Sequence, residues 1–244
     1  MRRILLSWRG WNLYSYPTML YTGTVCGILV GAWIAGLSSL DPDHFALASV
    51  ILFAPTLIGA RLFFVASHWA WYRNNRARIW GRGEGGMAMY GGLLAALPLS
   101  VPLLRAMDLS FAKFWDAATF AILVGMIFTR FGCLLNGCCS GRLSNSWFAL
   151  NLPDHRGIRE RRVPMQLLEA AWATVLLTAA FFMRGHEPFA GAIFGSAVIA
   201  YGVGRHFLQQ LRDDSTVSDT GIIQLTSVSL ALAALIGIGI AWSW

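Results

Sequence analysis

Charge is what this sequence has least of. Aspartate, glutamate, lysine and arginine together make up 13% of its 244 residues, whereas a soluble domain carries about 25%. With 56% hydrophobic residues and a mean hydropathy of +0.55, a water-soluble fold would leave much apolar surface facing solvent. A bilayer removes that difficulty, because lipid then solvates the apolar exterior. Lysine is scarcer still: of the 19 basic residues, all but Lys113 are arginines. Acidic residues number 12, for a formal charge of +7. Arginine offers phosphate oxygens a planar fork where lysine offers a point charge. In a membrane protein that excess meets lipid headgroups, and with no base-stacking platform in the sequence no nucleic-acid partner is expected. Cysteine is sparse too, with four in the chain. Three of them cluster at Cys133, Cys138 and Cys139, which is not the pattern of a secreted disulfide scaffold.

What is present is a succession of long apolar runs. A span needs about 20 mostly apolar residues, and the runs fall at residues 17–37, 45–67, 86–104, 111–129, 164–183, 188–208 and 221–244. The fold class expected is therefore all-α. Residues 1–244 form a single transmembrane domain of about seven helices, without a separate soluble unit. The opening Met1-Arg2-Arg3-Ile4-Leu5-Leu6 begins like a signal peptide, but Arg9 and Asn12 interrupt the apolar run before it reaches h-region length. The basic residues concentrate on the side of the N-terminus, the 73–82 loop and the 131–163 loop, so the positive-inside rule puts these in the cytoplasm.

Polar groups at membrane depth mark functional sites by default. Arg61 lies inside the second run, where snorkelling or pairing with a carboxylate is the competing reading. Gly85-Gly86-Met87-Ala88-Met89-Tyr90-Gly91-Gly92 opens the third run; on glycine alone, close helix packing is the better reading. Residues 130–142 bring Arg130, Gly132, Cys133, Asn136, Cys138, Cys139 and Gly141 into one short stretch. A metal needs further ligands, and no nearby histidine has useful spacing. A disulfide stays open if the loop faces an oxidising compartment, but a glycine-rich polar pocket is preferred. Neither metal nor cofactor is expected. Tyr201, Arg205 and Gln209 recur at i, i+4 and i+8, giving one polar stripe on a helix. Gln166 and Glu169 sit in the fifth run, where Glu169 and Asp116 are the carboxylates well inside apolar segments. Two or three arginines with few acids make a cavity suited to an anion.

These motifs resemble the prolipoprotein diacylglyceryl transferases of bacteria. The likeness rests on Gly85–Gly92, Arg130–Gly141, Val163-Pro164-Met165-Gln166-Leu167-Leu168-Glu169 and Tyr201–Arg212 in this order, with Tyr16-Pro17 and Gly59-Ala60-Arg61 also fitting. The resemblance implies an inner-membrane, multi-pass enzyme. It would move the diacylglyceryl group of phosphatidylglycerol onto the lipobox cysteine thiol of a preprolipoprotein signal peptide and release glycerol phosphate. It implies catalytic roles for Arg130, Arg205, Tyr90 and Tyr201. Substrate contacts would fall to Tyr16, Arg61, Gly86, Gly91, Gly92, Gly132, Cys133, Asn136, Cys138, Gly141, Gln166, Glu169 and Gln209. It also implies a periplasmic signature loop, against the charge count. Arginines around an anionic-lipid site have a functional reason to depart from a statistical rule, so the family's orientation is preferred.

The chain departs from the family pattern at four positions. Tyr90 stands where a histidine is frequent, Cys133 replaces an asparagine, Cys138 a glutamate and Gln209 a glutamate. A divergent member with another acceptor, or an anionic-lipid transporter without chemistry, are the alternatives.

Overall fold

The computed structural model describes residues 4–8, 11–74, 76–79, 89–153, 158–212 and 229. The expected seventh span at 221–244 and the site residue Gly86 lie outside the described residues, Ser229 apart. A short hairpin of β1 (Ile4–Trp8) and β2 (Trp11–Tyr14) leads into α1 (Ser15–Leu37). Then come α2 (Pro42–Ser67), a single turn α3 (Trp69–Tyr72), α4 (Met89–Ala106) and α5 (Phe111–Asn136). A second hairpin, β3 (Leu150–Pro153) with β4 (Arg159–Arg162), precedes α6 (Met165–Met183) and α7 (Ala192–Gln209). Among the described residues four helices, α1, α2, α5 and α6, are long and apolar enough to cross a membrane. The protein is a helical membrane protein.

Helix α1 shows how sequence sets the packing. Gly23, Gly27 and Gly31 recur every fourth residue, so they line one face. A Cβ on Gly23 would meet the Phe128 side chain, one on Gly27 the Ala121 carbonyl, and one on Gly31 the Phe45 ring and Ala121. The glycines thus let α1 lie directly on α5. Tyr21, Val25, Leu29 and Trp33, two positions out of step, are exposed on the opposite face, where lipid solvates them. Helices α2 and α4 cross in the same way: a Cβ on Gly91 or on Gly59 would strike the other helix's backbone, and one on Gly92 would come 2.9 Å from Thr56 Cγ2. The packing reading of these glycines describes where they sit.

Helix ends follow from local chemistry. Asp41 Oδ1 accepts hydrogen bonds from the amides of Asp43 and His44, both at 2.9 Å, which caps α2 ahead of Pro42. Those bonds hold its carboxyl below the usual range. Helix α7 is capped from another helix. Asp116 on α5 accepts from Gly191 N at 2.6 Å and Phe194 N at 2.9 Å, a role the sequence does not announce.

Two boundaries differ from the sequence reading. Helix α5 does not end near residue 129 but continues through Asn136, stopping where Gly137 takes the left-handed conformation (φ 75°). Its apolar periodicity hides the continuation, because Arg130 reads as a helix end. Arg130, Gly132, Cys133 and Asn136 are consequently on a helix and not in a loop. Helix α7 starts at Ala192 and not at 188, since residues 188–191 form turns that end on Gly191 (φ 96°). The two hairpins are also absent from the sequence reading, their strands being only four or five residues long.

Candidate active site

The last turns of α5, the first turn of α6 and the C-terminal end of α7 meet at one place. A backbone knot holds them there. Gly141 N donates to Val163 O at 2.9 Å, Val163 N to Arg142 O at 3.0 Å, and Arg142 N to Leu211 O at 3.0 Å. Gly141 also bridges Arg212. A Cβ at Gly141 would come 2.6 Å from Leu211 O, 2.7 Å from Met165 Cγ and 2.9 Å from Val163 Cβ, so only glycine fits between these chains. The residue fixes where Arg212, Gln166 and Glu169 stand relative to one another.

Glu169 is the centre. Its Oε2 lies 2.6 Å from Arg130 Nε, and its Oε1 pairs with Arg205 Nη1 and, at 3.3 Å, with Arg212 Nη1. Among the described residues, three guanidiniums surround one carboxylate whose side chain is 6% exposed, so the arginine–glutamate cluster by itself carries an excess of two positive charges. Burying such an excess is costly unless an anion completes it. Each guanidinium bonds Glu169 through one nitrogen among the described residues, which leaves the rest of each fork for a ligand. The Arg205 and Arg130 neighbours, together with desolvation, depress the affinity of Arg212 for its proton, with Glu169 acting the other way; desolvation is the largest of these effects.

The neighbours of this cluster are those the motifs named. Tyr201, one turn before Arg205, lies within electrostatic reach of Arg130. Its ring stands 6.4 Å from that of Tyr90. Tyr16, at the start of α1, is similarly close to Arg130 and to the three cysteines, and Gly132 permits that approach: a Cβ there would lie 2.9 Å from Met19 Cβ. Gln166 is buried and donates through Nε2 to Cys138 O at 2.5 Å, tying the signature loop to α6. Asn136 ends α5 beside Cys138, whose thiol donates to Cys133 O at 3.7 Å. Gln209 is buried, and neither its Oε1 nor its Nε2 has a partner among the described residues. The Sγ atoms of Cys133, Cys138 and Cys139 lie within 4.8 Å of one another, and none of the three is bridged. Hydrogen bonds from Cys133 and Cys138, with the guanidiniums of Arg212 and Arg130, hold the Cys139 thiol below its usual range.

Not every predicted residue converges here. Arg61 is buried and donates through Nε to Ile79 O at 2.8 Å and through Nη2 to Arg78 O at 3.2 Å. Its guanidinium also lies 5.6 Å from the Tyr72 ring centroid. These contacts tether Arg78 and Ile79 to α2. Gly91 and Gly92 sit at the α2–α4 crossing. Conversely, Arg212 is a central member of the cluster that the sequence reading quoted as the end of a motif without giving it a role. The signal was available: it extends the Tyr201, Arg205, Gln209 stripe by three residues.

Fold and site together define a buried cluster of three arginines on one glutamate inside a helical membrane protein. The chain belongs to the prolipoprotein diacylglyceryl transferase family, whose family model matches residues 3–241. A phosphatidylglycerol–prolipoprotein diacylglyceryl transferase of Finegoldia magna is 26% identical over 238 residues, covering 97% of this chain and 94% of that protein. The protein of the same name from Bacillus velezensis is 30% identical over 226 residues, covering 86% and 82%. That from Clostridioides difficile is 23% identical over 237 residues, covering 97% and 92%.

Proposed function

We propose that this protein transfers the diacylglyceryl group of phosphatidylglycerol to the thiol of a lipobox cysteine in prolipoproteins, releasing glycerol phosphate. The observation that carries the reading is the excess of two positive charges at Arg130, Arg205, Arg212 and Glu169. The acceptor thiolate attacks the glycerol carbon that bears the phosphate ester, and a C–S bond forms as the C–O bond breaks. The bonding electrons leave on phosphate oxygen, so a phosphodiester with one negative charge becomes a phosphate monoester with a second. A site with two uncompensated positive charges stabilises that product-like charge more than the substrate's, which is the condition for lowering the barrier. The same field favours the acceptor as thiolate, the nucleophilic form.

In this reading Arg130 and Arg205 bind the reacting phosphate, and Arg212 adds the third cation. Glu169 holds the three in place without matching their charge. Tyr201 and Tyr90 flank the phosphate position beside Arg130, and Tyr16, Asn136 and Gln209 contact substrate. Gly132, Gly141 and Gln166 shape the pocket. The protein crosses the inner membrane seven times, with the signature loop on the periplasmic side and phosphatidylglycerol reaching the site from the bilayer. Arg130→Ala and Arg205→Ala then each abolish formation of diacylglyceryl-peptide while the purified variants remain folded, with the wild-type elution profile. Transfer retained in both variants overturns the assignment.

A further inference from the structure

Gly137 in the left-handed conformation turns the chain back at the end of α5, and Cys139 follows with φ 62°. That reversal brings Cys138 and Cys139 over Cys133, so three Sγ atoms lie within 4.8 Å of one another. Gln166, through its bond to Cys138 O, and the Gly141 knot brace the loop from two sides. Cys133 is buried whereas Cys139 is exposed, which leaves the cluster open on one side.

We propose that Cys133, Cys138 and Cys139 form a binding site for a soft, thiophilic cation, and that Cu(I) is the ion that fits it. Metal–thiolate bonds of about 2.3 Å in a trigonal arrangement need sulfurs about 4.0 Å apart. The present spacing reaches that by sub-ångström side-chain movement. Thiolates select soft cations over Mg²⁺ or Ca²⁺, and no carboxylate belongs to this group of ligands among the described residues. Among the described residues no histidine or fourth cysteine belongs to it either, whereas a structural zinc site takes four protein ligands. Three thiolates around one monovalent ion carry two net negative charges, which favours a site open to water on the Cys139 side.

This inference does not depend on the transferase reading. The test is titration of Cu(I) into full-length, detergent-purified protein, reduced, stripped with chelator and kept anaerobic, against a chromophoric Cu(I) chelator. One equivalent of binding is expected. Cys26→Ser, remote from the cluster, leaves it unchanged, while Cys133→Ser, Cys138→Ser and Cys139→Ser each weaken it by at least about 100-fold, the upper range for losing even an outer-sphere partner. Cys139 is exposed, so its variant keeps the fold in any case. No binding by the wild-type protein, or binding undiminished when all three cysteines are serine, overturns the proposal.

Discussion

Arg130→Lys separates charge from geometry at the centre of the site. Arg130 spends its Nε on Glu169 Oε2 at 2.6 Å, and its two terminal nitrogens carry no bond among the described residues, so the fork can hold the carboxylate and a phosphate at once. Lysine keeps the charge but has one nitrogen on a flexible stem. If it stays on Glu169, the phosphate loses a donor; if it moves to the phosphate, Glu169 loses its Oε2 partner. Losing one donor aimed at developing negative charge costs about 10²–10³ in kcat, or about 2.7–4 kcal/mol. Because the total charge is conserved, binding of phosphatidylglycerol is expected to change less than turnover. The assay is single-turnover transfer to a lipobox peptide at saturating lipid, with lipid binding and thermal unfolding measured on the same preparation. Wild-type turnover in Arg130→Lys would refute the reasoning, since the fork geometry would then be irrelevant.

Glu169→Gln leaves three guanidiniums without their counter-charge, and breaking a buried ion pair in this way costs about 3–5 kcal/mol. Thermal unfolding should fall accordingly, and added glycerol phosphate should restore more stability to the variant than to wild type; equal stability of the two proteins contradicts the central role of Glu169. Asp116→Ala removes both acceptors from the start of α7 and strands the Gly191 and Phe194 amides, at about 1–3 kcal/mol for a stranded buried group. It should lower thermal stability without altering the charge of the arginine cluster, and an unchanged transition rejects the capping role. The depressed Cys139 thiol predicts a pH signature in metal-free, reduced protein. A thiol with an ordinary pKa near 8.5 loses alkylation rate steeply as pH falls below that value, whereas Cys139 should remain reactive at pH 6; peptide mapping after brief alkylation checks this, and labelling that falls with pH as that of a free thiol in solution does contradicts it.

Much of this architecture was legible because lipid imposes a simple rule. Apolar runs give α1, α2 and α6 nearly to the residue, and polar residues inside them give Glu169 and the α7 stripe. What escaped was set by tertiary contacts. Helix α5 runs on past Arg130 because Glu169, on another helix, receives that arginine's charge. Asp116 is accepted inside the membrane because it caps α7, 75 positions later in the chain. The cysteine triad depends on the left-handed Gly137, which periodicity does not register. Arg212 continues the α7 stripe in the sequence, but its place in the cluster is set past the end of α7, where Gly141 and Arg142 pair with Arg212 and Leu211.

The central claim is that two uncompensated positive charges in this membrane site serve the release of a phosphate monoester. The most direct measurement is mass-spectrometric product balance, with purified protein, phosphatidylglycerol and a lipobox peptide. Glycerol phosphate and S-diacylglyceryl-peptide appearing in equal amounts is the result predicted. Phosphatidylglycerol that binds yet is recovered intact, with neither product formed, would contradict it.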